Sequence, residues 1–260
     1  MPKITPKATH LGGSALGRKV IVVMPALNAA KTVAKTVADI PQGVVDKIIL
    51  VDDGSTDKTV SIAKKLGLKV FAHSKNLGYG ANQKTCYWEA LKDKPDVVVM
   101  LHPDYQYDSA RIMDLIQPIL TGRYDVMFGS RIRTRQEALA GGMPAVKYYL
   151  NRIVGIIENM VLGVNFSEHF SGFRAYSRQV LNKLSFQRMA DDFVFDQEMM
   201  IAAIAAGFSV GETPIAVRYY QDSSSIGLRK GVKFLLQTFA VLVKYWLHKN
   251  KLYHAGIFRS

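Results

Sequence analysis

The 260-residue chain has a single cysteine, Cys86. No intrachain disulfide can form, and a reducing compartment such as the cytoplasm fits that usage. Cys86 itself reads as a small buried hydrophobe. No apolar run reaches the ~20 residues that cross a bilayer. Residues 1–18 lack the apolar stretch of a signal peptide and carry Pro2, Pro6, Gly12, Gly13 and Gly17, so a flexible N-terminal arm is expected there. Internal repeats, heptad arrays and low-complexity tracts are missing, and so is a clear domain boundary. Acidic residues stop at Asp222, while Arg229, Lys230, Lys233, Lys244, Lys249, Lys251 and Arg259 follow.

The overall balance is basic, at net charge +13 with a pI of about 9.7. Such a balance suits a polyanionic partner: nucleic acid, an anionic membrane or a phosphorylated substrate. A hydrophobic content of 48% supplies enough apolar material for a full core in one large α/β domain.

Short apolar runs alternate with helical patterns. Lys19–Pro25, Lys47–Val51, Lys69–Ala72 and Val97–Leu101 read as strands, the last as one buried on both faces, and each ends in a polar cluster. The spacing predicts helices over 29–40, from Ser55 or Thr56 to Leu66, and through Leu91. Further strands are expected at 126–128, 171–176 and 212–219, with helices over 146–162, 193–206 and 229–248 and a polar loop over 222–227. Strand and helix in alternation predict a mostly parallel, Rossmann-like α/β sheet flanked by helices, with ligands bound beyond the carboxyl ends of the strands.

The fourth strand meets that expectation most directly, because Val97–Leu101 stops at His102-Pro-Asp-Tyr-Gln106. Oxygen ligands such as Asp104 suit Mg²⁺ or Mn²⁺ bound together with phosphate oxygens. Asp52-Asp-Gly-Ser55 reads equally as a turn with a helix cap or as carboxylates for a base or ribose hydroxyl. Asn76-Leu-Gly-Tyr-Gly80 fits a tight loop better than a phosphate cradle; the third glycine of a dinucleotide fingerprint is Gln83 here. Arg131, Arg133 and Arg135 alternate behind Gly129, as phosphate-binding forks or as a basic loop. Asp192 fits a helix cap, a general base or a hydroxyl-binding group. The final helix aligns Val232, Leu235, Leu236, Phe239, Leu242, Val243 and Trp246 opposite Lys233, Gln237, Lys244 and His248. That pattern suits a membrane interface or a shared helix with a partner subunit. Acidic clusters at the strand ends argue against nucleic acid as the partner.

Together, Val22-Val-Met-Pro-Ala-Leu-Asn28, Val51-Asp-Asp-Gly-Ser-Thr-Asp57, Asn76–Asn82, the 102–106 stretch, Gly129-Ser-Arg131 and Ser171-Gly-Phe-Arg174 resemble inverting family 2 glycosyltransferases of GT-A fold, near the dolichol- and polyprenyl-phosphate sugar synthases. The resemblance covers about residues 19–220. It implies a glycosyltransferase domain over 19–228, with the basic amphipathic helix and tail at 229–260. It places Pro25, Leu27, Asn28, Asp53, Asn76, Gly80, His102 and Pro103 at the nucleotide. Asp104, Gln106 and His102 would stand at a divalent metal, with Asp104, Arg131 and Asp192 as catalytic groups. Arg131, Lys147, Arg152, Ser171 and Arg174 would hold the acceptor or its phosphate. His102 replaces the first aspartate of the family's D-x-D motif, and the paired membrane-spanning helices of some relatives have no counterpart. The implied reaction is transfer from a nucleoside-diphosphate sugar, a UDP-sugar before a GDP-sugar. The acceptor would be a lipid phosphate or a glycan hydroxyl. The expected place is the cytoplasmic face of a membrane, attached peripherally, with a homo-oligomer allowed and nucleic acid excluded. A non-catalytic nucleotide-sugar binder is the competing class.

Overall fold

The computed structural model of the chain describes residues 17–131, 136, 139, 144–218 and 227–258, the side chains of Lys147 and Leu228 excepted. The arm up to residue 16, Arg133, Arg135, the Gly141–Gly142 loop, Tyr219, the 222–226 loop and the last two residues lie outside that description.

Seven strands form one sheet: β1 (Val20–Ala26), β2 (Lys47–Asp52), β3 (Lys69–Ala72), β4 (Val97–Met100), β5 (Val126–Ser130), β6 (Arg174–Ser177) and β7 (Val210–Pro214). Their order is β3-β2-β1-β4-β6-β5-β7. Every pairing is parallel except those of β6, which runs antiparallel to both β4 and β5. The register sets Met100 opposite Arg174. The amino end of β6 therefore lies at the same sheet edge as the carboxyl ends of the parallel strands. This is why the Ser171–Arg174 stretch reaches the site despite its distance in sequence.

Eight described helices flank the sheet: α1 (Val33–Ala38), α2 (Thr59–Lys65), α3 (Tyr79–Leu91), α4 (Ile112–Leu120), α5 (Ala145–Leu162), α6 (Arg178–Lys183), α7 (Phe195–Ala205) and α8 (Leu228–Lys249). Alternate strand residues point to opposite faces, and the core divides accordingly. Ile21, Val23, Ile49, Val98 and Met100 pack beneath Tyr87, Phe195, Met199 and, from α8, Val241, Leu242 and Tyr245. Val20, Val22, Leu50, Val97 and Val99 pack beneath Val33, Ala63, Leu115 and Ile116. Cys86 is fully buried in the first layer, and burial raises its thiol pKa well above the ordinary value.

Three expected boundaries move. The last strand is Val210–Pro214 rather than 212–219, because its parallel ladder with β5 ends at Ser130 opposite Pro214. Neither Ser55 nor Thr56 caps α2. The N-cap is Lys58, which makes no side-chain cap bond, and Asp57 just before it accepts from the Thr59 N–H at 2.9 Å. The first helix is shorter than 29–40 because Asn28 adopts a left-handed φ of 53° and the chain turns before Val33.

Helix α5 buries an acid. The Glu158 carboxyl is fully buried, with no hydrogen-bond partner on either oxygen among the described residues. His169 Nδ1 lies 3.9 Å away. His169 Nε2 stands 2.9 Å from Asn159 Oδ1; an amide oxygen only accepts, so Nε2 carries the proton. Burial pushes Glu158 up to about 8, against the opposing pull of Arg174, and burial then Arg174 push His169 down to about 4. Both groups are thus neutral around pH 6. Above pH 4.5 the unfolded chain releases the Glu158 proton while the folded chain keeps it, so this residue makes stability fall as pH rises toward about 8. Glu158→Gln removes that slope. In denaturant titrations its stability relative to the parent should improve with pH across this window, by at most about 1.4 kcal/mol per unit. A constant difference between the two proteins from pH 5 to 8 would refute the neutral buried acid.

Candidate active site

A cleft of about 790 Å³ opens at the carboxyl ends of β1, β2 and β4. One wall is the end of β1 with Pro25, Leu27 and Asn28. The floor carries Asp53, Asn76 and Asn82, the far wall His102, Pro103 and Asp104, and the roof Asp192, Phe193, Lys230, Lys233 and Gln237.

The walls are held by side-chain to backbone bonds. Asn28 N–H donates to Ser55 Oγ at 2.7 Å, and Asn28 Oδ1 accepts from Thr56 N–H at 2.9 Å, which ties the β1 turn to the β2 turn. Asp53 Oδ1 accepts from Leu77 N–H at 2.9 Å and faces His73 Nδ1 at 2.8 Å. Among the described residues Asp53 Oδ2 accepts from Gly78 N–H alone, at 3.0 Å, and so retains acceptor capacity at the cleft. The paired acids are therefore neither a plain turn nor free ligands: Asp53 fastens the 76–78 loop to the sheet.

On the far wall, Asp104 Oδ1 accepts from Gln106 N–H at 3.1 Å. Tyr105 between them has φ 63° and lies under the Arg218 guanidinium, 4.5 Å from the ring centroid. Left-handed non-glycine residues gather at functional turns, and here both Asn28 and Tyr105 flank the cleft. His102 stacks on Tyr79, with centroids 5.4 Å apart, and its Nε2 lies 2.9 Å from the Tyr79 hydroxyl. That hydroxyl donates to Asp196 Oδ2 at 2.7 Å. Burial and then Asp196 hold the Tyr79 pKa well above its usual value, so its one proton is committed and His102 Nε2–H is the donor in the other bond. A Cβ on Gly172 would come within 2.6 Å of His102 Nε2. The glycine of the Ser171–Arg174 stretch is what lets this imidazole seat.

No group of three His, Cys, Asp or Glu side chains capable of holding a metal occurs among the described residues. Asp104 and His102 nevertheless fit a divalent ion of the kind that binds through one or two protein groups, with substrate diphosphate and water completing the shell. Gln106 does not line the cleft; its main chain fixes Asp104.

Several residues implied at the ligand do other work. Gly80 N–H donates to Asp191 O at 2.8 Å, and a Cβ there would collide with Ala190 O. The glycine-rich loop thus admits the 190–191 backbone, not a phosphate. Arg174 is fully buried, donating to Ser171 O at 2.7 Å, Asp196 O at 2.7 Å and His169 O at 3.0 Å, so it cannot reach an acceptor. Ser171 is fully buried beneath Tyr107. Arg131 donates through Nε to Glu168 Oε1 at 2.7 Å, with a second guanidinium contact to the same carboxylate, which is itself fully buried. Arg152 braces the same segment through Ser167 O at 2.9 Å. Neither arginine is among the described residues lining the cleft. The Lys147 side chain lies outside the described residues.

Asp192 is at the cleft, but Lys233 and Gln237 donate to its Oδ2 at 2.7 and 2.9 Å. Burial pulls its carboxyl pKa up, and these bonds outweigh that and hold it below the ordinary range, which weakens it as a base. Sequence reasoning placed Lys233 and Gln237 on the polar side of the last helix without seeing that this side roofs the cleft. Tyr79, Phe193 and Lys230 were missed altogether. They come from loops and a helix end, where no periodicity signals a role.

The outer surface of α8 inverts the usual pattern. Thr238, Val241, Leu242 and Tyr245 are buried, whereas Leu236 (67%), Val243 (57%), Trp246 (52%) and Val232 (50%) are exposed. On α5, which touches α8, the exposed described side chains are Ala145, Val146, Tyr149, Leu150, Ile153, Ile156 and Met160, with no charge among them. No helix among the described residues is long and apolar enough to cross a membrane.

Comparison with known proteins gives a consistent picture. Residues 21–185 match the model of glycosyl transferase family 2. An uncharacterized protein of Methanocaldococcus jannaschii is 30% identical over 231 residues, covering 89% of this chain and 92% of the relative. A UDP-N-acetylglucosamine–dolichyl-phosphate N-acetylglucosaminyltransferase of Methanococcus voltae is 29% identical, covering 83% of this chain and 92% of the relative. The Mycobacterium tuberculosis glucosyl-3-phosphoglycerate synthase, solved with Mn²⁺, UDP and glucosyl-3-phosphoglycerate, superposes with a TM-score of 0.68 at 21% identity, covering 94% of this chain and 85% of that one. At that identity the likeness is one of fold.

Proposed function

The chain belongs to glycosyl transferase family 2, and from that premise we propose that it moves a sugar from a UDP-sugar to a lipid phosphate at a membrane surface. The observation that carries this reading is the cleft itself. Leu27, Asn28 and Asp53 face Asp104 and His102 across a space of about 790 Å³, the size of a nucleotide-sugar pocket. UDP is preferred to GDP because the structural neighbour binds UDP. A lipid phosphate is preferred because the Methanococcus voltae relative is named for dolichyl phosphate. A divalent metal, Mg²⁺ or Mn²⁺, would be held by Asp104 and His102, and when bound it offsets the charge of the leaving diphosphate.

The acceptor phosphate attacks the anomeric carbon as the bond to the diphosphate breaks, and configuration inverts. An ionised phosphate needs no base, which agrees with an Asp192 held by Lys233 and Gln237. A glycan hydroxyl would require that base and is the second reading. Thermal shift with Mn²⁺ and a panel of UDP- and GDP-sugars tests the donor: a UDP-sugar should stabilise the protein only with metal present, and no shift from any donor would refute the reading.

Peripheral attachment at the cytoplasmic face would use the outward apolar sides of α5 and α8. Lysines rim α8, and its aromatic Trp246 suits a headgroup boundary. Replacing Ile153 and Leu236 together by glutamate should lower binding to anionic vesicles by about tenfold or more, with UDP affinity unchanged. Equal vesicle binding with loss of a dimer would instead assign the face to a second copy of the chain.

A further inference from the structure

The cations that line the cleft among the described residues are Lys31, Lys230 and Lys233. The arginines that the resemblance assigns to the acceptor are engaged elsewhere: Arg131 with Glu168, Arg152 with Ser167 O, and Arg174 in the core. We propose that Lys230 and Lys233 form the seat for the acceptor's phosphate, and that α8 is the element that recognises a lipid phosphate as a class. The proposal rests on the glycosyltransferase reading above.

Three observations support it. Lys230 has no hydrogen bond or ion pair among the described residues, although it stands at the cleft mouth. Lys233 already holds an anion in this place, the Asp192 carboxylate at 2.7 Å, and both partners are partly exposed so that an incoming phosphate can exchange for it. Finally, Lys230, Lys233 and Gln237 follow each other at i, i+3 and i+7 on one side of α8, while Val232 and Leu236 are exposed on another. Within two turns, a single helix therefore offers cations toward the cleft and an apolar surface outward. A lipid phosphate has the same division, an anionic head on an apolar chain. The first turns of a 22-residue helix add a favourable dipole for the head.

In the step itself, a phosphate oxygen lone pair forms the bond to the anomeric carbon. The bond from that carbon to the diphosphate oxygen breaks, and its electron pair leaves on UDP. No proton has to be removed. The lysines hold and orient the nucleophile, and Asp192 is released from Lys233 as the phosphate arrives.

The experiment compares the full-length protein with Lys230→Ala, Lys233→Ala, the double variant and the double arginine replacement. Transfer to a polyprenyl phosphate is followed in detergent micelles, the affinity for UDP with Mn²⁺ by calorimetry, and binding of a short-chain prenyl monophosphate without donor by thermal shift. The double alanine variant should raise the acceptor KM by about tenfold or more, lose the monophosphate shift and keep the UDP affinity, and the arginine pair should recover most of the loss. A fall in UDP affinity with unchanged acceptor KM would assign the lysines to the donor diphosphate and overturn the proposal. Unchanged values throughout would do the same. If the parent protein binds no UDP yet shows a lysine-dependent monophosphate shift, the donor reading fails and the phosphate seat stands.

Discussion

Asp104→Ala should reduce metal-dependent transfer by about a thousandfold or more, the loss expected when several kcal/mol of leaving-group charge stabilisation disappears. The carboxylate sits on the far wall of the cleft next to His102, on a turn strained at Tyr105 and pinned by the Gln106 N–H. Its removal deletes, among other contacts, the bond from the Gln106 N–H in a partly exposed turn, so the loss should fall on metal and donor binding more than on the fold. A folded variant that binds UDP weakly and no longer responds to Mn²⁺ is the expected result. Full activity in this variant would place the metal, or the chemistry, elsewhere.

Arg174→Met should damage folding and not recognition. The guanidinium is fully buried and ties the Ser171, Asp196 and His169 carbonyls together where β6, α7 and the preceding loop meet. Burial alone would pull its pKa down, but Asp196 and Tyr176 drive it well above the ordinary value, so the charge persists. Methionine would strip a charged donor from three buried carbonyls and remove the positive charge that faces Asp196. Leaving three buried carbonyls unsatisfied costs about 1–3 kcal/mol each, a large part of the stability of an ordinary domain. Melting should drop by about 10 °C or more, with any remaining folded protein binding UDP normally. A variant that melts like the parent but loses acceptor affinity would return Arg174 to the binding site.

These two residues show where the sequence was readable. Strands β1, β2 and β4 announced themselves because they are apolar and buried on both faces, and the polar clusters at the strand ends located the sheet edge that carries the cleft. Asp104 follows from position and chemistry together. The arginine of Ser171-Gly-Phe-Arg174 looks equally functional in sequence, yet its role depends on an antiparallel strand inserted between β4 and β5, a pairing that local patterns do not encode. At Gly80 the residues favoured a tight loop while the resemblance placed it at the nucleotide: a glycine before a helix admits either a phosphate or another backbone, and the approach of Ala190 and Asp191 fills that space. The expected apolar stripe of α8 is split: Leu242 is buried, whereas Val232, Leu236, Val243 and Trp246 face outward. The buried side is set by Thr238, Val241, Leu242 and Tyr245 meeting α7 and the sheet, and this turns Lys233 and Gln237 into the roof of the cleft.

We propose that this cleft transfers sugar from a UDP-sugar to a lipid phosphate with inversion. The most direct measurement incubates the purified protein with UDP-sugars, Mn²⁺ and a polyprenyl phosphate, and determines by NMR the anomeric configuration of the sugar phosphate formed. One equivalent of UDP should be released per glycolipid, with a β-linked phosphate from an α-linked donor. A retained α linkage, or UDP release without any glycolipid, would contradict it.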